Sequence, residues 1–297
     1  MADTSKPVTI DQPTSNAGNQ RKTRSIKDSA SRVLQIADTY GLGALLQDEP
    51  PLNTLLDRSI ERQKKRQELR QKNLEQILKY AHLSCRDEAA GDPDPDWLYR
   101  FFDMAQDIHN TSMQKLWSQV LKREITNPGA TSMKALLVLK DMSPKEAQTL
   151  QRAASLACSF GGDNSKKLLM GYRAKSGFLG FYRRDDTNAV NLGGHKLPYS
   201  SLLHLIELGL VLGTELESGE VDFDPALVLD YQGKQLALQP MSKGIRLIYY
   251  RFSPTGDELC NLLGNKPNMA YYDQLVALLS QKFTLQTGAG TNLDESA

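Results

Sequence analysis

The chain has 297 residues, 40% of them hydrophobic and 24% charged, with a formal net charge of +1. That balance is globular, and the length suffices for one large domain or two ordinary ones. Near-neutrality excludes a global field towards nucleic acid or an acidic membrane, so any basic patch has to be local.

Residues 1–25 are rich in Ser, Thr, Asn, Gln and Pro, which bury little, and are read as disordered. They contain no apolar core of a signal peptide. No apolar run approaches the roughly 18 residues that cross a bilayer; the longest, around Leu202 to Leu212, is interrupted by His204, Glu207 and Gly209. The expectation is a cytoplasmic protein without a transmembrane segment.

Residues 26–90 read as amphipathic and charged helices. Ile26, Ala30, Val33, Ala37 and Tyr40, with Leu34 beside them, form an apolar stripe at helical spacing, closed by Gly41 and Gly43. A second helical pattern runs from Leu52 to about Leu83. Its apolar positions (Ile60, Leu69, Leu74, Ile77, Leu78) become regular only in the second half. The first half, with Arg58, Arg62, Lys64, Lys65 and Arg66, reads as solvated. Gly91, Pro93 and Pro95 break the chain after it.

Residues 94–160 read as a helical bundle. Asp94 caps a helix whose first position is Pro95, with Trp97, Leu98, Phe101, Phe102, Ala105 and Ile108 along one face. Asn110 or Thr111 starts another, carrying Met113, Leu116, Trp117, Val120 and Leu121, and Asn127-Pro128-Gly129 ends it. Thr131 is read as the cap of a short helix through Leu136 and Leu139. Ser143-Pro144-Lys145-Glu146 is a capping box that opens a helix through Leu150 and Ala154.

The texture changes after Gly161-Gly162. Residues 161–285 read as an α+β part: two short strands or a loop over Lys166–Arg184, a helix over Leu197–Leu210, and strands over Ala226–Tyr231 and Leu236–Leu238 around Gln232-Gly233. A third strand over Ile245–Phe252 and helices over Thr255–Leu263 and Tyr271–Phe283 follow. Residues 286–297 read as a disordered tail.

The order of a helix ending in Leu208-Gly209-Leu210-Val211, a hairpin, and Phe252-Ser253-Pro254-Thr255-Gly256-Asp257-Glu258-Leu259 resembles a winged-helix module. The wider pattern of Asp96-Trp97-Leu98, Arg100-Phe101-Phe102, Met113-Gln114-x-Leu116-Trp117 and Pro128-Gly129 resembles a bacterial family known only as a domain of unknown function. The resemblance spans most of residues 94 to 264 and implies no activity. The fold class expected is mainly α: a helical bundle followed by a smaller α+β, winged-helix-like domain.

No catalytic or metal constellation stands out. Cys85, Cys158 and Cys260 are far apart and odd in number, matching neither a disulfide framework nor a zinc site. None of His82, His109, His195 and His204 has ligand spacing to another histidine; His82 and Cys85 make a lone i, i+3 pair. Asp92, Asp94 and Asp96 alternate with Pro93 and Pro95 before a helix, where capping explains them. Gly177-x-x-Gly180 lacks the Lys-Ser/Thr of a phosphate loop, and Gly193-Gly194-His195-Lys196 is a lone glycine pair. No catalytic residue, cofactor or metal is assigned.

Two surfaces remain. Between Lys166 and Arg184, the cations Lys166, Lys167, Arg173, Lys175, Arg183 and Arg184 meet no acidic residue, and Tyr172, Phe178, Phe181 and Tyr182 are interleaved. Charges that neutralise phosphates beside rings that stack are what single-stranded nucleic acid needs. Against this, the helix in the base-reading position exposes Ser200, Ser201, His204 and Glu207 and no basic residue. The second surface is the N-terminal helix pair, suited to pairing with another helix, to coiled-coil self-association or to lying on an anionic membrane. The favoured reading is a non-enzymatic interaction or scaffold protein acting through protein contacts of its N-terminal helices. The alternative is a nucleic-acid-binding regulator using 166–184, and an enzyme ranks third.

Overall fold

The computed structural model describes residues 28–46, 52–175, 186–263 and 266–287. Helix α1 (Ser29–Tyr40) starts where the Asp28 carboxylate accepts the Ser31 amide at 2.7 Å, and it ends at Gly41. A 3-10 turn (Gly43–Leu45) follows. Helix α2 (Leu55–Ser84) opens on a reciprocal capping box between Thr54 and Asp57. Its 30 residues span about 45 Å at the helical rise. From Leu55 to Leu69 only Arg58 is even half-buried; from Arg70 onward Asn73, Ile77 and Ala81, four apart, turn into the core.

Helices α3 (Pro95–Ala105), α4 (Thr111–Thr126), α5 (Met133–Asp141) and α6 (Pro144–Ser155) follow in close succession, each with a side-chain cap. Asp94 caps α3 with proline at the first helical position, and Ser143 and Glu146 form the box at α6. The cap of α5 is Ser132; its neighbour Thr131, the residue expected there, instead supplies the carbonyl that the Trp97 indole N–H reaches at 2.9 Å. Trp97 stacks on Phe101 with centroids 5.2 Å apart, and Phe101 meets Trp117 at 5.3 Å. Helix α2 packs along α4 and α3, and α3 packs on α5. Buried Lys122 ties the C-terminal end of α2 to α4: its ammonium reaches the Ser84 carbonyl at 2.9 Å and Glu88 at 2.8 Å.

The remaining elements are β1 (Ser159–Phe160), β2 (Lys167–Ala174), β3 (Asp186–Ala189), α7 (Tyr199–Glu207), β4 (Leu216–Glu217), β5 (Leu227–Tyr231), β6 (Lys234–Pro240), β7 (Ile245–Arg251), α8 (Pro254–Leu263), α9 (Met269–Leu279) and β8 (Phe283–Thr287). They build two four-stranded antiparallel sheets, ordered β1-β5-β6-β8 and β3-β2-β7-β4. The core is continuous from Ile77 to Phe283, with α8 against α4, α5 and α6. Helix α9 lies on β2, where the buried Tyr271 hydroxyl donates to the Leu169 carbonyl at 2.7 Å.

This architecture corrects the expected fold class. A winged helix needs the strands after its helix to pair as one wing, and here they separate into different sheets. The β5–β6 hairpin joins β1 and β8, whereas Ile245–Arg251 pairs with β2, with Leu168 opposite Tyr250 and Leu169 opposite Tyr249. Gly209 does reverse the chain at φ 68°, but it leads Val211 into an isolated bridge with Phe252 and not into a wing. The segment Phe283–Thr287, read as a helix end and a tail, is the edge strand β8 paired with β6.

Candidate interaction surface

Five of the basic and aromatic residues singled out between 166 and 184 are described, and β2 disperses them. Strand alternation sends Tyr172 inward, fully buried, where its hydroxyl donates to Gln281 Oε1 at 3.0 Å and accepts from Asn188 Nδ2 at 3.0 Å. Lys167 is 4% exposed. Its ammonium is enclosed by the Phe160 carbonyl (3.0 Å), the Ser165 carbonyl and hydroxyl (3.1 and 3.0 Å) and the Asp163 carboxylate. It also sits 4.9 Å above the Phe160 ring. Arg173 pairs with Glu217, which Arg246 also reaches at 3.3 Å. Lys175 is exposed and Lys166 half-buried. Phe178, Phe181, Tyr182, Arg183 and Arg184 lie outside the described residues. A ring as buried as Tyr172 cannot stack on a base while the fold is intact, and two of the described cations already have carboxylate partners.

Beside Lys167 a cleft of about 570 Å3 opens between β1 and the segment from Ser218 to the start of β5 at Leu227 and Val228, with Tyr249 as part of its wall. Its polar groups are largely committed. Burial pushes the Asp163 carboxyl up, but hydrogen bonds from Lys167 and Ser165 outweigh that and hold it below its ordinary range. Glu220 accepts the Gly244 amide, and Ser218 Oγ accepts the Leu247 amide at 2.9 Å. Among the described residues, the lining includes no histidine or cysteine, so none of them pairs a nucleophile with an imidazole base there. Cys158 and Cys260 are buried, and burial pushes the Cys158 thiol up to about 12, far from the thiolate that reactivity needs. Among the described residues, no group of three or more His, Cys, Asp and Glu side chains is placed to hold a metal ion. No helix of the described residues is long and apolar enough to cross a membrane.

The exposed apolar surface concentrates instead on α1, the 3-10 turn and the first half of α2. In α1 only Ala37 is buried, while Val33 (55%), Ile36 (48%) and Tyr40 (58%) face solvent. At the tip, Leu45, Leu52, Leu55 and Leu56 are 87%, 103%, 76% and 67% exposed. A monomer gains nothing from such a cluster; contiguous exposed apolar residues mark contact surfaces.

Where this arm joins the body, a groove of about 290 Å3 is bounded by Thr39, Tyr40 and Leu42 on one wall and by Arg62, Lys65, Arg66, Leu69 and Arg70 of α2 on the other. The α2 residues recur every three or four positions and so share one face. Asp107 and His109, from the connector between α3 and α4, close one end. Arg70 grips Asp107 through Nε at 2.8 Å and Nη2 at 2.9 Å, and Arg66 approaches to 4.0 Å. Behind them Asn73 donates to the Gln106 carbonyl at 2.8 Å and pairs with His109 Nδ1 at 3.1 Å, while Gln114 reaches Asn73 Oδ1 at 3.1 Å. This buried amide network fixes the connector against α2. Among the described residues, Arg62 and Lys65 meet no carboxylate, so the groove keeps uncompensated positive charge.

In the sequence these cations read as a solvated stretch of helix. Their spacing was the available signal; Tyr40 and Asp107, which make the row into a groove, come from distant segments and carried none.

A family model described as "Protein of unknown function (DUF2806)" matches residues 57–276. The matched span begins in the first turn of α2 and ends within α9, so it includes the basic row and leaves α1 outside. No curated protein matches the chain, and neither does any solved structure.

Proposed function

The chain belongs to the DUF2806 family of proteins of unknown function, and from that premise we propose that it is a non-enzymatic interaction protein that docks on a protein partner through its N-terminal arm, α1 with the first half of α2. The observation that carries this reading is the solvent exposure of the arm's leucines, with Leu45 at 87% and Leu55 at 76%. Each large apolar side chain left in water forgoes roughly 1.5–3 kcal/mol of burial, which a partner surface would recover. The second half of α2 is anchored by Ile77, Ala81 and the Asn73 network, so the arm is presented on a fixed base. The burial of Tyr172 and the enclosure of Lys167 favour this reading over a nucleic-acid-binding regulator based on residues 166–184.

A photo-crosslinking amino acid placed in turn at Leu45, Leu55 and Ile60, and at Leu137 and Val228 as controls whose exposure (52% and 51%) is close to that of Ile60 (56%), tests it. One partner, identified by mass spectrometry and recovered from the arm positions alone, supports the reading. Equal recovery from the controls, or none from the arm, overturns it.

A further inference from the structure

Resting on that reading, we infer that the groove between Tyr40 and the Arg62–Arg70 row binds an acidic segment of the partner protein, with one large apolar side chain seated against Tyr40, Leu42 and Leu69 and carboxylates lying along Arg62, Lys65 and Arg66.

The charge argument is local. Arg70 is spent on Asp107, but Arg62 and Lys65 have no carboxylate partner among the described residues, and Arg66 only touches the edge of Asp107 at 4.0 Å. Unpartnered cations in a row favour a ligand with negative charges in a row. Arg62 and Arg66 are one helical turn apart, about 6 Å along the axis. Carboxylates four apart on a partner helix, or two apart on an extended segment, repeat at nearly the same distance. The groove is not purely electrostatic, since Tyr40, Leu42 and Leu69 are 58%, 60% and 44% exposed along it. At about 290 Å3 it matches the small end of ligand pockets, room for anchor side chains of a segment and not for a folded element.

The same features disfavour the other anionic ligands. A compact phosphate prefers the converging backbone amides of a helix N-terminus, but the helix end at this groove, Thr39 and Tyr40 of α1, is a C-terminal one, whose dipole keeps any carboxylate on the α2 side beside Arg62, Lys65 and Arg66. An anionic bilayer would have to accept the arm's tip, and there the exposed Asp57 follows Leu55 and Leu56 directly. Single-stranded nucleic acid needs several rings to stack, and among the described residues Tyr40 is the one phenol or indole ring lining the groove.

The experiment pans a displayed library of short random peptides against the full-length protein and measures enriched peptides by fluorescence anisotropy. Enriched sequences with net negative charge and one large apolar residue are the expected result. Their affinity should fall about tenfold or more with Arg62→Glu, Lys65→Glu and Arg66→Glu combined, and recover when the peptide's acids become lysines. Leu69→Asp should weaken the same peptides, and an unchanged urea midpoint shows that each variant is folded. No enrichment, enrichment without charge bias, or affinity indifferent to charge reversal overturns the inference. So does tighter binding of phosphatidylserine vesicles or a single-stranded oligonucleotide through the same three residues. If arm positions crosslink a partner whose contact segment is not acidic, the inference fails and the docking reading stands. If acidic peptides bind the groove while the arm crosslinks nothing, the docking reading fails alone.

Discussion

Arg70 holds Asp107 across 37 positions of sequence by two parallel hydrogen bonds of 2.8 and 2.9 Å. The pair sits where α2 passes from solvent into the core, so it ties the base of the arm to the connector between α3 and α4. The planar guanidinium fork suits this task, because two parallel bonds fix orientation as well as distance. The base of the groove is thus a built junction, while Arg62 and Lys65 above it meet no carboxylate among the described residues.

The pair predicts a titration. The hydrogen bond from Arg70 is the main reason the Asp107 carboxyl lies below its ordinary range, with burial opposing it and Arg66 helping. A lowered folded value means that the contribution to stability is complete above the unfolded carboxyl value of about 3.9 and is lost as pH falls through the folded value. Nuclear magnetic resonance of the Asp107 side-chain carbon should show a midpoint below that of an ordinary aspartate. Arg70→Ala should move it up, and an unmoved midpoint would break the assignment.

Lys167 makes the second prediction. Replacing it with alanine leaves the Phe160 and Ser165 carbonyls without their donor and takes one cation from the Asp163 carboxylate, which keeps Arg251 at 3.4 Å and the Ser165 amide and hydroxyl. Removing one member of a buried ion pair costs about 3–5 kcal/mol. Asp163 is 47% exposed and can be rehydrated, which brings the expectation to about 2–3 kcal/mol. Urea unfolding of Lys167→Ala measures it, and a loss under about 0.5 kcal/mol would show that the ammonium is not enclosed.

What could be read from sequence follows the range of each interaction. Asp94 before Pro95, and Ser143 with Glu146, announce their helices because a cap and its amide are three residues apart. Strand pairing carries no such local mark. Leu169 opposite Tyr249 joins segments eighty positions apart, and nothing in Ile245–Arg251 says that its neighbour is β2 and not the preceding hairpin. Phe283–Thr287 is a short alternating run directly after a helix, where its pairing with β6 was invisible. The candidate groove divides in the same way: the basic row shows in the spacing along α2, and its conversion into a groove depends on Tyr40 and Asp107.

Tyr172 separates a structural ring from a binding one. Tyr172→Phe removes the hydroxyl bonded to Gln281 and Asn188 and should cost about 1 kcal/mol. Tyr172→Ala deletes a fully buried ring and should cost about 3–5 kcal/mol, by analogy with Phe→Ala in cores. Equilibrium denaturation compares the two. Equal and negligible losses would mean that the ring is not packed between β2 and its neighbours.

Gly256 tests the packing of α8 against the turn after α7. A Cβ at this position would stand 2.1 Å from the Leu210 carbonyl oxygen, a backbone atom already held by the Ser253 amide at 3.0 Å. Overpacking usually costs about 1–3 kcal/mol, and an immovable backbone obstacle puts Gly256→Ala at about 3 kcal/mol or more. Gly219→Ala, which meets nothing within 4 Å, is the control and should change stability by a few tenths of a kcal/mol. Similar unfolding midpoints for the two variants would refute the close approach.

The arm makes the prediction nearest to function. Leu45 and Leu55 are 87% and 76% exposed, so Leu45→Ser with Leu55→Ser removes almost no burial in the isolated chain. The double variant should unfold within about 0.5 kcal/mol of the parent, the usual range for surface changes. If these leucines are instead covered by a second copy of the chain, stability would depend on protein concentration and the substitutions would lower it. Urea unfolding at two concentrations, with mass measured by light scattering, distinguishes the cases. A concentration-independent loss of several kcal/mol would mean that the arm folds back on its own body, contrary to the exposure seen at its tip.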